Sequence, residues 1–210
     1  MAHLLLDREK VYDPVLRSIH AWNALAIVLL LRGARVAGWI EFSQYTPEAA
    51  SLWRFHVWTG YALVLGLIAR LAWGLFGPPH ARLAALWQPR AWWQALRSRA
   101  LFSAPSEWGH QPPAAAIYLV FYLLLIAMAV TGLALAAIDQ GRGPLAFWLG
   151  HDVALKHLFR MPHEWIENGI LGFVVVHIAA LILHESRHQV PLAQAMVSGY
   201  QYRKSDQEEA

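Results

Sequence analysis

Residues Ala114 to Ile138 read AAAIYLVFYLLLIAMAVTGLALAAI, a run without one charged side chain. A bilayer core about 30 Å thick takes about 20 apolar residues of helix to cross. This stretch is long enough, and its composition leaves the backbone only one way to satisfy itself in lipid, as a helix. Three further segments follow the same pattern. One runs from about Trp53 to Phe76, with Arg70 inside it, and one from about His163 to His184. The least regular is Leu16 to Ile40, built around the apolar run Ala24–Leu31. The chain as a whole agrees. Of its 210 residues 57% are hydrophobic and 15% charged, where soluble domains average about 45–50% and about 25%. The sequence predicts an all-α, integral membrane four-helix bundle in one membrane domain, 1–210. Its spans are about 16–40, 53–76, 114–138 and 163–184. Residues 77–113 and 139–162 are loops on opposite sides, and 185–210 form a tail.

The first fifteen residues mix charges and lead to no small-residue cleavage site, so the first span is expected to stay in the membrane. Lys and Arg set the orientation. Arg8, Lys10, Arg17, Arg82, Arg90, Arg97, Arg99, Arg187, Arg203 and Lys204 fall on one side, against Arg54, Arg142, Lys156 and Arg160 on the other. Counting Arg32 and Arg35 outside leaves the sign unchanged. Both termini are therefore expected in the cytoplasm. The net charge of +3 follows from topology, and nucleic acid is not a partner. Trp39, Trp53, Trp58, Trp73 and Trp165 sit near span ends, as an interfacial belt would. The stretch ARLAALWQPRAWWQALRSRALF, 81–102, reads as a short amphipathic helix on the inner surface. Trp92 and Trp93 would dip in and its arginines would face lipid headgroups.

The chain has no cysteine. That excludes disulfides, thiolate metal sites, iron–sulfur clusters and covalently attached haem. It has eleven histidines. His3, His80, His110, His151, His157 and His188 fall in loops or tails, where solvated histidine is the ordinary reading. His20, His56, His163 and His177 fall inside spans, where an ionisable side chain is costly and usually functional.

Their placement is ordered. His163 and His177 are 14 residues apart, a rotation of about 320°, so they share a face at an axial separation of about 21 Å. With the spans antiparallel, His56 matches His163 near the outer surface and His20 matches His177 near the inner one. Two imidazole pairs at two depths suit two bis-imidazole haems, because neutral imidazole binds iron and bundle interiors house cofactors. A zinc site suits them poorly, since no thiolate or carboxylate cluster completes either pair. His184, seven residues beyond His177, competes for the inner position but falls where the span ends. Gly60, one turn after His56, would let a flat porphyrin approach. Gly66, Gly132, Gly169 and Gly172 could do the same or serve close helix packing. Arg70 shares the His56 face and suits a haem propionate or a quinone, while Arg32 and Arg35 suit the outer propionates.

The segments VYDPVLRSIHAW (11–22), RFHVWTGYALVLGLIARLAWGLFGPPHARL (54–83), GHQPPAAAIYLVFYLLLIAMAVTGL (109–133) and HEWIENGILGFVVVHIAALILHESRHQVPLAQAMVSG (163–199) resemble the bacterial cytochrome b561 and [NiFe]-hydrogenase b-type cytochrome family. The resemblance implies a four-helix bundle holding two b haems, with His20, His56, His163 and His177 as the iron ligands. It implies an electron carrier that joins a periplasmic oxidoreductase subunit or a c-type cytochrome to the quinone pool. Relatives that act alone oxidise superoxide and reduce quinone. Quinone exchange is expected near His20, Trp22 and Arg70. A periplasmic donor is expected on Gln140–Pro162, a segment longer than a plain connector, with Lys156 and Arg160 supplying charge.

Overall fold

The structure is a computed structural model that describes residues 6–43, 47–98, 108 and 112–204; His3, Arg99 and His110 lie outside them. Strand β1 (Leu6–Lys10) is followed by helices α1 (Pro14–Ser43), α2 (Pro47–Phe76), α3 (Pro89–Arg97) and α4 (Pro112–Gln140). Then come α5 (Ala146–Leu149), α6 (Lys156–His188), α7 (Ala195–Ser198) and strand β2 (Tyr200–Lys204). Helices α1, α2, α4 and α6 are each long and apolar enough to cross a membrane. Their apolar surface is not spent on an interior. In the most apolar window of α6 only 6% of residues are buried, and in that of α4 17%. Leu25, Leu65, Leu123 and Ile182, all more than 60% exposed, would be untenable in water over so wide a surface and are ordinary against lipid. The chain is an all-α, multi-pass membrane protein.

Each long helix outruns the segment expected for it. The largest excess lies in α6, which begins at Lys156 and runs through Pro162. Proline at the seventh position deletes one backbone hydrogen bond of the second turn. The Arg160–Glu164 ion pair, 2.8 Å across that turn, bridges the same stretch, and the helix continues. Residues 156–162 are thus the first turns of α6 and not part of the loop expected at 139–162. What precedes them is α5, four residues long, and a 3-10 turn at Val153–Leu155.

The fold divides into two compact units, each drawing on all four long helices. The first comprises residues 1–20, 70–120 and 174–210. Here β1 and β2 pair antiparallel, with Leu6 opposite Lys204 and Lys10 opposite Tyr200. Neither LDREK nor YQYRK alternates apolar and polar residues cleanly, so this small sheet was not legible in the sequence. Gly199 anchors it. Its φ is +86°, a side chain there would meet the Tyr12 carbonyl at 2.7 Å, and its own carbonyl accepts from the amides of Val11 and Tyr12. Only glycine meets both demands. Val11, Tyr12, Leu16, Ala81 and Ala195 form the buried cluster beside it, with Trp73, Trp108 and Met196 packed on. Burial pushes the Tyr12 phenol up to about 12, with Tyr118 adding to the effect, so it stays a neutral donor at any physiological pH.

Asp13 is the hinge of this unit. It stands before Pro14, the favoured residue at a first helical position, and its Oδ1 accepts from the Leu16 amide at 3.0 Å, a regular N-cap. Its Oδ2 accepts from the Trp73 indole at 3.2 Å. Trp73 is therefore tied to the Asp13 carboxylate and packed on this cluster; Trp39, Trp58 and Trp165, 68–74% exposed, suit an interfacial belt. Removing the carboxylate leaves an uncapped helix and a part-buried indole donor, together worth about 2 kcal/mol. Asp13→Ala should lower the melting temperature of the detergent-solubilised protein by several degrees, and Asp13→Asn by much less. Equal melting of all three proteins would refute this role.

At α3, Trp93 and Leu96 are exposed while Trp92 packs edge-on against Trp87, their ring centres 5.3 Å apart. One tryptophan rather than two is left to face a membrane surface, and the Arg97 guanidinium lies 5.8 Å over its ring. At the end of α6 the Glu185 carboxylate accepts from the amides of Leu192 and Ala193, both at 2.7 Å, and holds the chain as it turns toward β2.

The second unit comprises residues 21–69 and 121–173. Helices α1 and α2 meet where the Trp22 indole donates to the Ala62 carbonyl at 2.9 Å. Helices α4 and α6 meet at the stacked rings of Phe121 and Phe173, 3.8 Å apart. Gly66 lies hard against Trp22 and Asn23, so of the two roles open to it, helix packing is the one it fills.

Candidate haem sites

In the second unit α2 presents His56 and α6 presents His163. Their ring centres are 6.4 Å apart with planes at 73°. That separation can be tested against iron. Two metal–imidazole bonds of about 2.0–2.1 Å, plus roughly 1.2 Å from each nitrogen to its ring centre, sum to about 6.4 Å. The donor set fits too. His56 Nδ1 is buried without a hydrogen-bond partner, whereas His163 Nδ1 lies 2.9 Å from the Thr131 hydroxyl. Space fits as well: a methyl group added at Gly60 would meet nothing within 4 Å, and Gly60 shares the face of His56 one turn on. Gly172 is equally open, Gly169 makes ordinary contact with Leu124, and Gly132 approaches His163. Trp53 stands edge-on to His56, ring centres 5.7 Å apart. Arg35 is 3.7 Å from Glu167 and Arg32 is exposed.

In the first unit His20, on α1, is exposed and lies within electrostatic reach of the half-buried His177 on α6. The His177 ring meets Tyr118 edge-on with centres 6.2 Å apart. Arg70 is 5% exposed. Gly74 leaves room for its guanidinium, since a side chain there would sit 3.0 Å from Arg70 Nη1. His184 has a buried Nε2 and packs its ring 4.5 Å from that of His188. That is too close for an iron between the two. Among the described residues no group of three or more His, Asp or Glu converges as a metal-ion site.

Two sequence expectations meet altered surroundings. The Trp22 indole, expected beside a quinone, is tied to Ala62. Lys156 and Arg160, expected to greet a donor, are paired with Asp139 at 2.7 Å and Glu164 at 2.8 Å. What the segment exposes most is apolar, with Phe147 91% and Trp148 72% exposed. Thr131, Tyr118 and Glu167 are the residues that sequence reasoning missed. Glu167 could have been found, as a second intramembrane charge of opposite sign to Arg35.

Facing imidazoles on apolar helices, in a chain without thiolates, fit one class of protein: membrane cytochromes that hold haem without a covalent bond. Comparison with known proteins narrows the class. Residues 11–199 match the family described as prokaryotic cytochrome b561, and the chain belongs to it. It is 31% identical to a probable Ni/Fe-hydrogenase B-type cytochrome subunit of Cupriavidus necator, over 90% of this chain and 85% of the relative. Likeness to proteins of the same description is 30% in Azotobacter vinelandii, over 93% and 89%, and 28% in Rhizobium leguminosarum bv. viciae, over 90% and 87%. No solved structure matches the chain significantly. The group that a b-type cytochrome carries is haem b.

Proposed function

We propose that this chain is the membrane electron-transfer subunit of an oxidoreductase, holding two b haems and relaying electrons between a periplasmic partner and the quinone pool. The observation that carries the reading is the 6.4 Å spacing of His56 and His163, which matches two ligands on one iron. Haem b, when bound, supplies one-electron chemistry; the chain supplies position, access and polarity. His56 and His163 would hold one group, and His20 and His177 the other. Gly60 would leave room for the first. Arg32 and Arg35 would meet its propionates, with Glu167 competing for Arg35.

Arg70, a buried cation beside Gly74, would orient either a propionate or a quinone carbonyl near His20. The names of the relatives point to an [NiFe] hydrogenase as the partner. With Lys156 and Arg160 already paired, docking would rest on the exposed apolar residues Phe147 and Trp148. The Lys and Arg distribution puts both termini in the cytoplasm and this segment in the periplasm.

Mild-detergent purification from the native host tests the reading. A red protein is expected, with two haems per chain, a reduced bis-imidazole spectrum and hydrogenase subunits in the same fraction. A haem-loaded protein that purifies alone and reduces quinone with superoxide would replace the partner reading with a stand-alone oxidase. A colourless one would end both.

A further inference from the structure

The Thr131 hydroxyl is held by three neighbours. Its oxygen lies 2.9 Å from the Ala127 carbonyl, 3.1 Å from the Met128 carbonyl and 2.9 Å from His163 Nδ1. A hydroxyl has one hydrogen, and both carbonyls can only accept. Threonine in a helix usually turns that proton back to its own backbone; so turned, it leaves a lone pair facing His163. His163 Nδ1 must then carry the hydrogen and donate it, which places the ring's free lone pair on Nε2. Thr131 is 9% exposed, so water does not offer an exchange of partners.

The neighbouring residue strengthens the arrangement. A methyl group at Gly132 would lie 3.2 Å from His163 Cε1, so its absence lets α4 close on the imidazole. His56 differs: its Nδ1 is buried without a partner, and its ring is supported by a backbone hydrogen bond at Leu30 rather than by a side-chain hydroxyl.

We infer that Thr131, with Gly132 beside it, is a positioning residue that fixes His163 in its ligand-competent tautomer and raises the donor strength of that imidazole. The inference rests on the reading of His56 and His163 as the residues that would hold one haem. A hydrogen bond accepted from the distal ring nitrogen makes the ligand more basic. A more basic ligand favours the ferric state and lowers the reduction potential.

The test compares Thr131→Val and Thr131→Ser in the full-length, detergent-purified protein. The readouts are haem content, redox titration in the visible band and ferric electron paramagnetic resonance. Valine keeps the size and removes the acceptor. It should raise the reduced-to-oxidised ratio of the haem lost in His163→Ala about tenfold at fixed poise, or about 59 mV for one electron. Serine keeps the hydroxyl and should titrate as the parent does. Loss of that haem in the valine variant and its retention in the serine variant would also assign the role to the hydroxyl. An unchanged titration and resonance in valine, or equal shifts or equal haem loss in both variants, would overturn the inference. If no haem depends on His163 at all, the ligand reading fails first, and His163→Ala alone reveals it.

Discussion

Haem content should halve in His163→Ala and halve in His56→Ala, and the same haem should be missing from both. The expectation follows from the 6.4 Å between their rings. At that distance two imidazoles would fit on one iron, and alanine leaves a space that no other described His, Asp or Glu fills, because none converges there. The ratio of haem to protein, measured by pyridine haemochrome, gives the stoichiometry, and the shape of the reduced band identifies the haem that remains. His157→Ala, in the first turn of α6, serves as the control and should keep full content. Loss of a different haem in each of the two variants would show that the rings do not act as a pair.

The second large effect separates His177 from His184. His177→Ala should remove one haem, the one also lost in His20→Ala, whereas His184→Ala should keep both. His177 is within electrostatic reach of His20 and is flanked by Tyr118. His184 is turned toward His188, with ring centres at 4.5 Å, and a metal with bonds of about 2 Å to each ring does not fit that gap. The buried Nε2 of His184 is the feature that makes the comparison necessary. A haem lost in His184→Ala and kept in His177→Ala would move the ligand seven residues along α6.

The four spans were legible because lipid asks one thing of a segment, and Ala114–Ile138 supplies it without interruption. The four histidines stood out for the opposite reason: an ionisable side chain inside such a segment is costly and usually functional. Thr131 was hidden, because threonine in an apolar helix satisfies itself on its own backbone and gives no sign in the sequence of which neighbour also uses its oxygen. Pro162 misled, since proline usually ends a helix on its N-terminal side. Here the helix has run six residues before it and loses a single hydrogen bond. The charges of Lys156 and Arg160 were read as free because Asp139 is remote in sequence from Lys156, and because Glu164 follows His163 inside what looked like the span.

The pairing of Leu6–Lys10 with Tyr200–Lys204 also sets a schedule. The partner of the first strand is synthesised almost two hundred residues after it. At about 5–20 residues per second the first strand waits on the order of 10–40 s while all four long helices emerge and enter the bilayer. Throughout that interval the Val11 and Tyr12 amides lack the Gly199 carbonyl that later receives them, and the strand's edge is open to other chains. Leu6–Lys10 carries Asp7, Arg8, Glu9 and Lys10, alternating charges that discourage pairing with a stranger. Closure of this strand pair thus cannot precede the last long helix, and its formation certifies that this helix has been made.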